Sequence, residues 1–61
     1  MTNALIERIS RLIHDTWRER YDARAAALGA RGRSASWEGI AELLRDDYRA
    51  CARAALKALG R

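Results

Sequence analysis

Apolar residues recur at intervals of three and four along the first 28 positions, which is the spacing of an amphipathic helix. The stripe consists of Leu5, Ile6, Ile9, Leu12, Ile13, Trp17, Tyr21, Ala25 and Leu28. Thr2 or Asn3 can cap the start of such a helix, and Gly29 suits its C-terminal end. The pattern therefore predicts a helix over residues 3–28.

Residues 29–36 hold two glycines, two serines and no bulky apolar residue, which predicts a loop. Ser36 can then cap a second helix over residues 37–59. Its apolar stripe is Trp37, Ile40, Ala41, Leu44, Tyr48, Cys51, Ala52, Ala55, Leu56 and Leu59. Gly39 weakens the first turn by up to about 1 kcal/mol relative to alanine, so a break around residues 37–40 remains an alternative.

Two helices joined by a short loop predict an all-α fold, an antiparallel two-helix hairpin. A chain of 61 residues forms one domain and buries only about 60% of its unfolded surface. The single cysteine excludes a disulfide within the chain, which leaves self-association or very efficient packing of the helices. We expect the first, a homodimer packed as a four-helix bundle. The expected core and dimer contacts are Ile9, Leu12, Ile13, Trp17, Ile40, Leu44, Cys51, Ala55 and Leu56.

Charge separates the second helix into two parts. The chain carries a net charge of +4, and acids crowd residues 37–47 whereas bases dominate residues 48–61. Arg45, Arg49, Arg53 and Lys57 recur every fourth residue and form a basic ridge, which could contact an acidic protein surface or phosphates. The ridge is equally what a solvated helix end prefers, because cations near a helix C-terminus are favourable.

The partner-binding residues expected from this pattern are Trp37, Arg45, Tyr48, Arg49, Arg53 and Lys57. Trp37 is included because it lies at the junction of loop and helix, where burial is least assured, and tryptophan is frequent among binding hot spots. The simpler interpretation places the tryptophans and tyrosines in the core or at its rim.

The sequence shows no catalytic constellation, so we expect no enzymatic activity, no cofactor and no metal site. His14 is expected to be a surface residue, and Cys51 a buried, inert thiol. Nothing resembles a signal peptide or a membrane span, and a lone thiol fits a reducing compartment. These features favour a cytoplasmic protein without a membrane partner.

Trp37, Ile40, Arg45, Tyr48 and the run Ala52-Arg53-Ala54-Ala55-Leu56 resemble a pattern found in small proteins of phages and prophages of proteobacteria. Residues 37–59 carry this resemblance. The family has no general activity to transfer. The resemblance implies a protein of a mobile element that acts inside a bacterial host by binding, as inhibitors of host machinery and anti-CRISPR proteins do.

Three functions remain open at this point. The first is a protein-binding module that modulates or inhibits a host protein or nucleoprotein complex. The second is a small basic nucleic-acid-binding regulator, which as a dimeric bundle would resemble the plasmid regulator Rop in architecture. The third is a structural or assembly component of a phage, whose only partner is itself.

Overall fold

The computed structural model describes residues 3–60, and within that range its only regular elements are helices. Helix α1 spans Asn3–Ala27, a single 3-10 turn spans Trp37–Gly39, and helix α2 spans Glu42–Ala58. The helices run in opposite directions, because Ile6 packs with Leu56 whereas His14, two turns later, meets Tyr48. The predicted all-α helical hairpin is confirmed.

Helix α1 ends in a Schellman motif. The backbone N–H of Ala30 donates to the carbonyl of Ala25, and that of Gly29 donates to Ala26, at 2.9 and 3.0 Å. Gly29 has φ of 88°, a left-handed conformation that glycine adopts without steric cost. The local sequence rule that placed the end of the helix at this glycine is therefore confirmed.

The two helices meet around small side chains. Ile6, Ala52 and Leu56 form the buried core, with Ile9 and Ile13 packed against it from one side. Ala52 and Ser10, one on each helix, are fully buried. The Ser10 hydroxyl donates to the carbonyl of Ile6 at 2.6 Å, so its burial leaves no polar group unsatisfied. Small side chains at these positions allow close packing of the helices but bury little apolar area.

Helix α2 begins at Glu42, five residues later than the predicted start at Trp37, so the break near Gly39 is the correct alternative. Ile40 and Ala41 are extended, with ψ of 157° and 148°. The reason is tertiary. A straight helix would separate Trp37 from Tyr48 by about 16 Å along its axis, yet their ring centroids are 6.1 Å apart.

Several expected core residues are not covered by the single chain. Leu56 is buried, Ile9 and Ile13 are partly buried, and Ile40 is half-buried. Five others are exposed in the single chain, so their place in a core or dimer contact stays a prediction: Leu12, Trp17, Leu44, Cys51 and Ala55. The physical reason is that a two-helix layer covers only one side of each helix, and these residues lie beside that side.

The packing around Ala52 makes a testable prediction. Ala52→Leu inserts a larger side chain where no space is left, and we expect it to lower the free energy of unfolding by about 1–3 kcal/mol. Ala50→Leu adds the same atoms to an exposed position of the same helix and should change it by less than about 0.5 kcal/mol. Urea denaturation measures both, and equal effects would contradict the close packing of the helices.

Candidate functional site

Three rings close the hairpin next to its core. The ring of His14 contacts Trp37 edge to face at a centroid distance of 5.6 Å, and Tyr48 at 5.3 Å. Each of the three residues comes from a different element: α1, the 3-10 turn and α2. Such ring pairs contribute about 0.5–1.5 kcal/mol beyond the area they bury, so this aromatic cluster joins the turn to both helices.

His14 was expected at the surface, and that expectation is wrong. Its side chain is buried between the two other rings, and its Nδ1 donates to Oδ1 of the neighbouring Asp15 at 3.1 Å. Ser10 was also missed as a core residue. The signal was present, because Ile6, Ser10 and His14 are four apart and hence lie on one side of α1.

Arg49 of α2 is held by three carboxylates. Its Nη1 donates to Glu42 at 2.6 Å and to Asp46 at 2.5 Å, and its Nε donates to Glu7 of α1. These carboxylates raise the pKa of Arg49, while Arg49 and then Arg45 lower the pKa of Glu42. The guanidinium also lies 5.9 Å from the ring centroid of Trp37. Arg49 therefore links the two helices through these carboxylates.

Arg45 fixes the turn that precedes its own helix. Its Nη1 donates to the carbonyl of Trp37 at 2.9 Å, and its Nε donates to Glu42 at 2.8 Å. The extended stretch before α2 lacks a side-chain cap at Ala41. Arg45 satisfies a backbone carbonyl of that turn instead, which holds Trp37 in the aromatic cluster.

The predicted partner-binding set is therefore only partly available to a partner. Trp37 is 8% exposed and Tyr48 is half-buried, both within the aromatic cluster. Arg45 and Arg49 are occupied by carboxylates of the chain itself. Arg53 and Lys57 are exposed, and within residues 3–60 neither forms an ion pair. The predicted basic ridge is thus shortened to these two residues.

Internal pairing leaves an uneven surface charge. Among residues 3–60, the carboxylates without an ion pair are Glu19 and Asp47. The cations without one in the same range are Arg8, Arg20, Arg24, Arg31, Arg33, Arg53 and Lys57. The ion pairs join six carboxylates to only four arginines, so the paired groups keep a net charge of −2 and the groups outside the pairs carry +5. The positive charge is therefore separated from the ion pairs, which favours an acidic partner for the surface outside them.

The loop is tied to α1 by a short polar network. The backbone N–H and the hydroxyl of Ser34 donate to Oδ1 of Asp22 at 3.0 and 2.8 Å, and Nε of Arg18 donates to the Ser34 carbonyl at 2.9 Å. The two bonds from Ser34 and the nearby Arg18 lower the pKa of Asp22 below its usual value of 3.8. This network fixes how the loop returns toward α2.

One face of the helix pair is apolar and uncovered, and we call it the apolar face. It consists of Ile9, Leu12, Ile13, Thr16 and Trp17 of α1 and of Leu44, Tyr48, Cys51 and Ala55 of α2. Helical periodicity places these residues on one side of the layer, and the Glu7–Arg49 ion pair lies on the other. Two open grooves of about 510 and 320 Å³ meet on this face at Trp17 and Tyr21.

In residues 3–60 no group of three or more histidine, cysteine or acidic side chains is arranged to hold a metal ion. Cys51 was expected to be buried but is exposed on the apolar face. Within residues 3–60, neither helix combines the length and hydropathy that a bilayer-spanning segment needs.

Compared with known proteins, the chain matches no family model, no curated protein and no solved structure. The resemblance to small phage and prophage proteins therefore stays a prediction from the sequence. What the coordinates define is a class of architecture: a helical hairpin closed by an aromatic cluster and by Arg49, with one apolar face.

The link between Ser34 and Asp22 makes a prediction about pH. Because the folded pKa of Asp22 lies below its unfolded value, this interaction stabilises the fold above the unfolded pKa and is lost as the pH falls through the folded pKa. Ser34→Ala removes one donor and should raise the pKa of Asp22 toward 3.8, as measured by NMR titration of its carboxyl carbon. Ser36→Ala, in the same loop, should leave it unchanged. Equal titration curves for the two variants would contradict the network.

Proposed function

We propose that this chain is a non-enzymatic binding protein that docks on an acidic partner protein and modulates it. The observation that carries the proposal is the separation of charge among residues 3–60: seven cations and only two carboxylates lie outside the ion pairs, whereas the paired groups are net negative. Complementary charge steers association and selects partners. Within the predicted basic ridge, Arg53 and Lys57 are the residues left to make such contacts.

The resemblance of residues 37–59 to small phage and prophage proteins supplies the context of the proposal. In that context the partner is a protein or nucleoprotein complex of a bacterial host, reached in its cytoplasm. Inhibition of a defence complex, of the anti-CRISPR kind, is one such role. The positive charge balance argues against imitation of DNA, which requires an acidic surface.

We further propose that the working form is a homodimer. A chain of 61 residues without an internal disulfide gains little stability from one two-helix layer, and small domains commonly compensate by self-association. The exposed apolar residues of the single chain support this proposal.

A nucleic-acid-binding function is the second candidate, and the excess of unpaired cations favours it as well. The shortened ridge weakens it, because Glu42 and Asp46 lie beside Arg49 and would repel phosphates. A binder that used only Arg53 and Lys57 would neutralise about two phosphates per chain, so the logarithm of its affinity should fall against the logarithm of salt with a slope of about −2 for one chain and about −4 for a dimer.

Affinity capture from a bacterial host tests the proposal. The tagged protein should retain a protein partner after nuclease treatment of the lysate. Loss of all partners with nuclease would instead support nucleic-acid binding, and capture of the chain alone would support a structural role.

Charge reversal tests which cations make the contact. Arg53→Glu combined with Lys57→Glu should weaken binding to the captured partner by at least about tenfold, which corresponds to about 1.4 kcal/mol. Arg31→Glu combined with Arg33→Glu makes the same change of net charge in the loop and serves as the matched control. Equal losses in both pairs would show non-specific attraction and contradict a role for the shortened ridge.

A further inference from the structure

The surface of the single chain is larger than its mass accounts for. The chain has a mass of 6.9 kDa and exposes 4963 Å². Compact monomers of this mass expose about 4000 Å². The excess, about 960 Å², is close to the roughly 800 Å² that each partner contributes to a stable protein interface. The excess is therefore of the size that one such interface would cover.

The shape of the chain leads to the same conclusion. Its radius of gyration is 13.3 Å. A compact chain of this length has a radius of about 10.5 Å, and a compact chain of twice the length about 13.7 Å. The Cα atoms span 41 × 22 × 14 Å, so the chain is a slab one helix layer thick. Stable domains pack at least two layers around a common core.

Part of the exposed apolar surface is contiguous on one side of the slab. Trp17 is 56% exposed, Leu12 64% and Leu44 48%, and all three belong to the apolar face. On α2 the same face presents the small side chains of Cys51 and Ala55. The opposite side carries the ion pairs of Arg49 with Glu7, Glu42 and Asp46. One side can therefore enter a core, whereas the other is already satisfied by charge pairing.

We propose that a second copy of this chain covers the apolar face, so that two hairpins pack layer on layer as a four-helix bundle. This inference rests on the proposed homodimer and specifies the surface that forms it. The residues that define the face are uncharged, although Arg20 and Arg24 line the larger groove next to Leu12 and Trp17. The size of the uncovered area, rather than charge, favours a second copy as the occupant. A second copy offers a matching apolar area, and bulky side chains of α1 can pack beside the small ones of α2.

The reactivity of the native Cys51 thiol measures whether this face is covered, and it needs no substitution. Cys51 is exposed in the single chain and would be covered in the bundle. At a total chain concentration about a hundred times the dimer Kd, its reaction rate with a maleimide should fall by about fifteenfold relative to the dilute protein, following the remaining monomer fraction. In a Cys51→Ala variant that also carries Arg53→Cys, the thiol lies on the exposed side of α2 and should react equally fast at all concentrations.

Two adjacent leucines of α2 provide the matched substitutions. Leu44 lies on the apolar face, whereas Leu43 is 73% exposed and points away from α1. Analytical ultracentrifugation of the wild type and of Leu43→Glu should give twice the chain mass of 6.9 kDa. Leu44→Glu places a charge in the interface and should give a monomer at the same concentrations. Circular dichroism records whether each variant keeps its helices.

The results of these experiments distinguish a failure of the proposed interface from a failure of the proposed homodimer. A wild type that remains monomeric overturns both the homodimer and the interface. A dimer whose Cys51 reacts at the same rate at all concentrations, or in which Leu44→Glu dimerises as well as Leu43→Glu, overturns the interface alone. If Leu44→Glu loses its helices, the reaction rate of Cys51 in the wild type tests the interface instead. A rate that falls with protein concentration supports the interface, and a constant rate overturns it. None of these results depends on whether a host partner is captured.

Discussion

A pair of packed helices can cover only one side of each helix, and the rest of this structure follows from that constraint. Ser10 and Ala52 are fully buried on the packed sides, and their small size lets α1 and α2 come together. The same small size limits the apolar area that the contact buries. Further contacts between the helices lie at the edges of the layer, in the rings of His14, Trp37 and Tyr48 and in the carboxylates around Arg49. The apolar face stays uncovered in the single chain.

The aromatic cluster explains why the second helix begins late. Trp37 lies eleven residues before Tyr48, and only a break in the helix brings the two rings together. Arg45 then bonds to the carbonyl of Trp37, and Arg49 lies over its ring. Two arginines of the basic ridge thus serve the fold, which shifts the search for a partner surface to Arg53 and Lys57.

Periodicity and local rules predicted the helical hairpin because its helices and the Schellman motif at Gly29 depend on near neighbours in sequence. The buried position of His14 could have been inferred from its spacing with Ile6 and Ser10. The contact of Arg49 with Glu7 could not, because it joins residues 42 positions apart and depends on how the helices align. The core prediction combined two classes of residue, those that one chain buries, such as Leu56, and those such as Leu44 that it leaves exposed. Periodicity identifies an apolar stripe but does not tell which molecule covers it.

The central claim is that one helix layer is incomplete and that a second copy completes it. Thermal unfolding followed by circular dichroism over a wide range of protein concentrations tests this claim most directly. If folding and association are coupled, the Tm must rise with concentration, because mass action favours the associated state. A Tm that is independent of concentration, together with a monomeric mass throughout, would show that the single layer is stable by itself and would contradict the account.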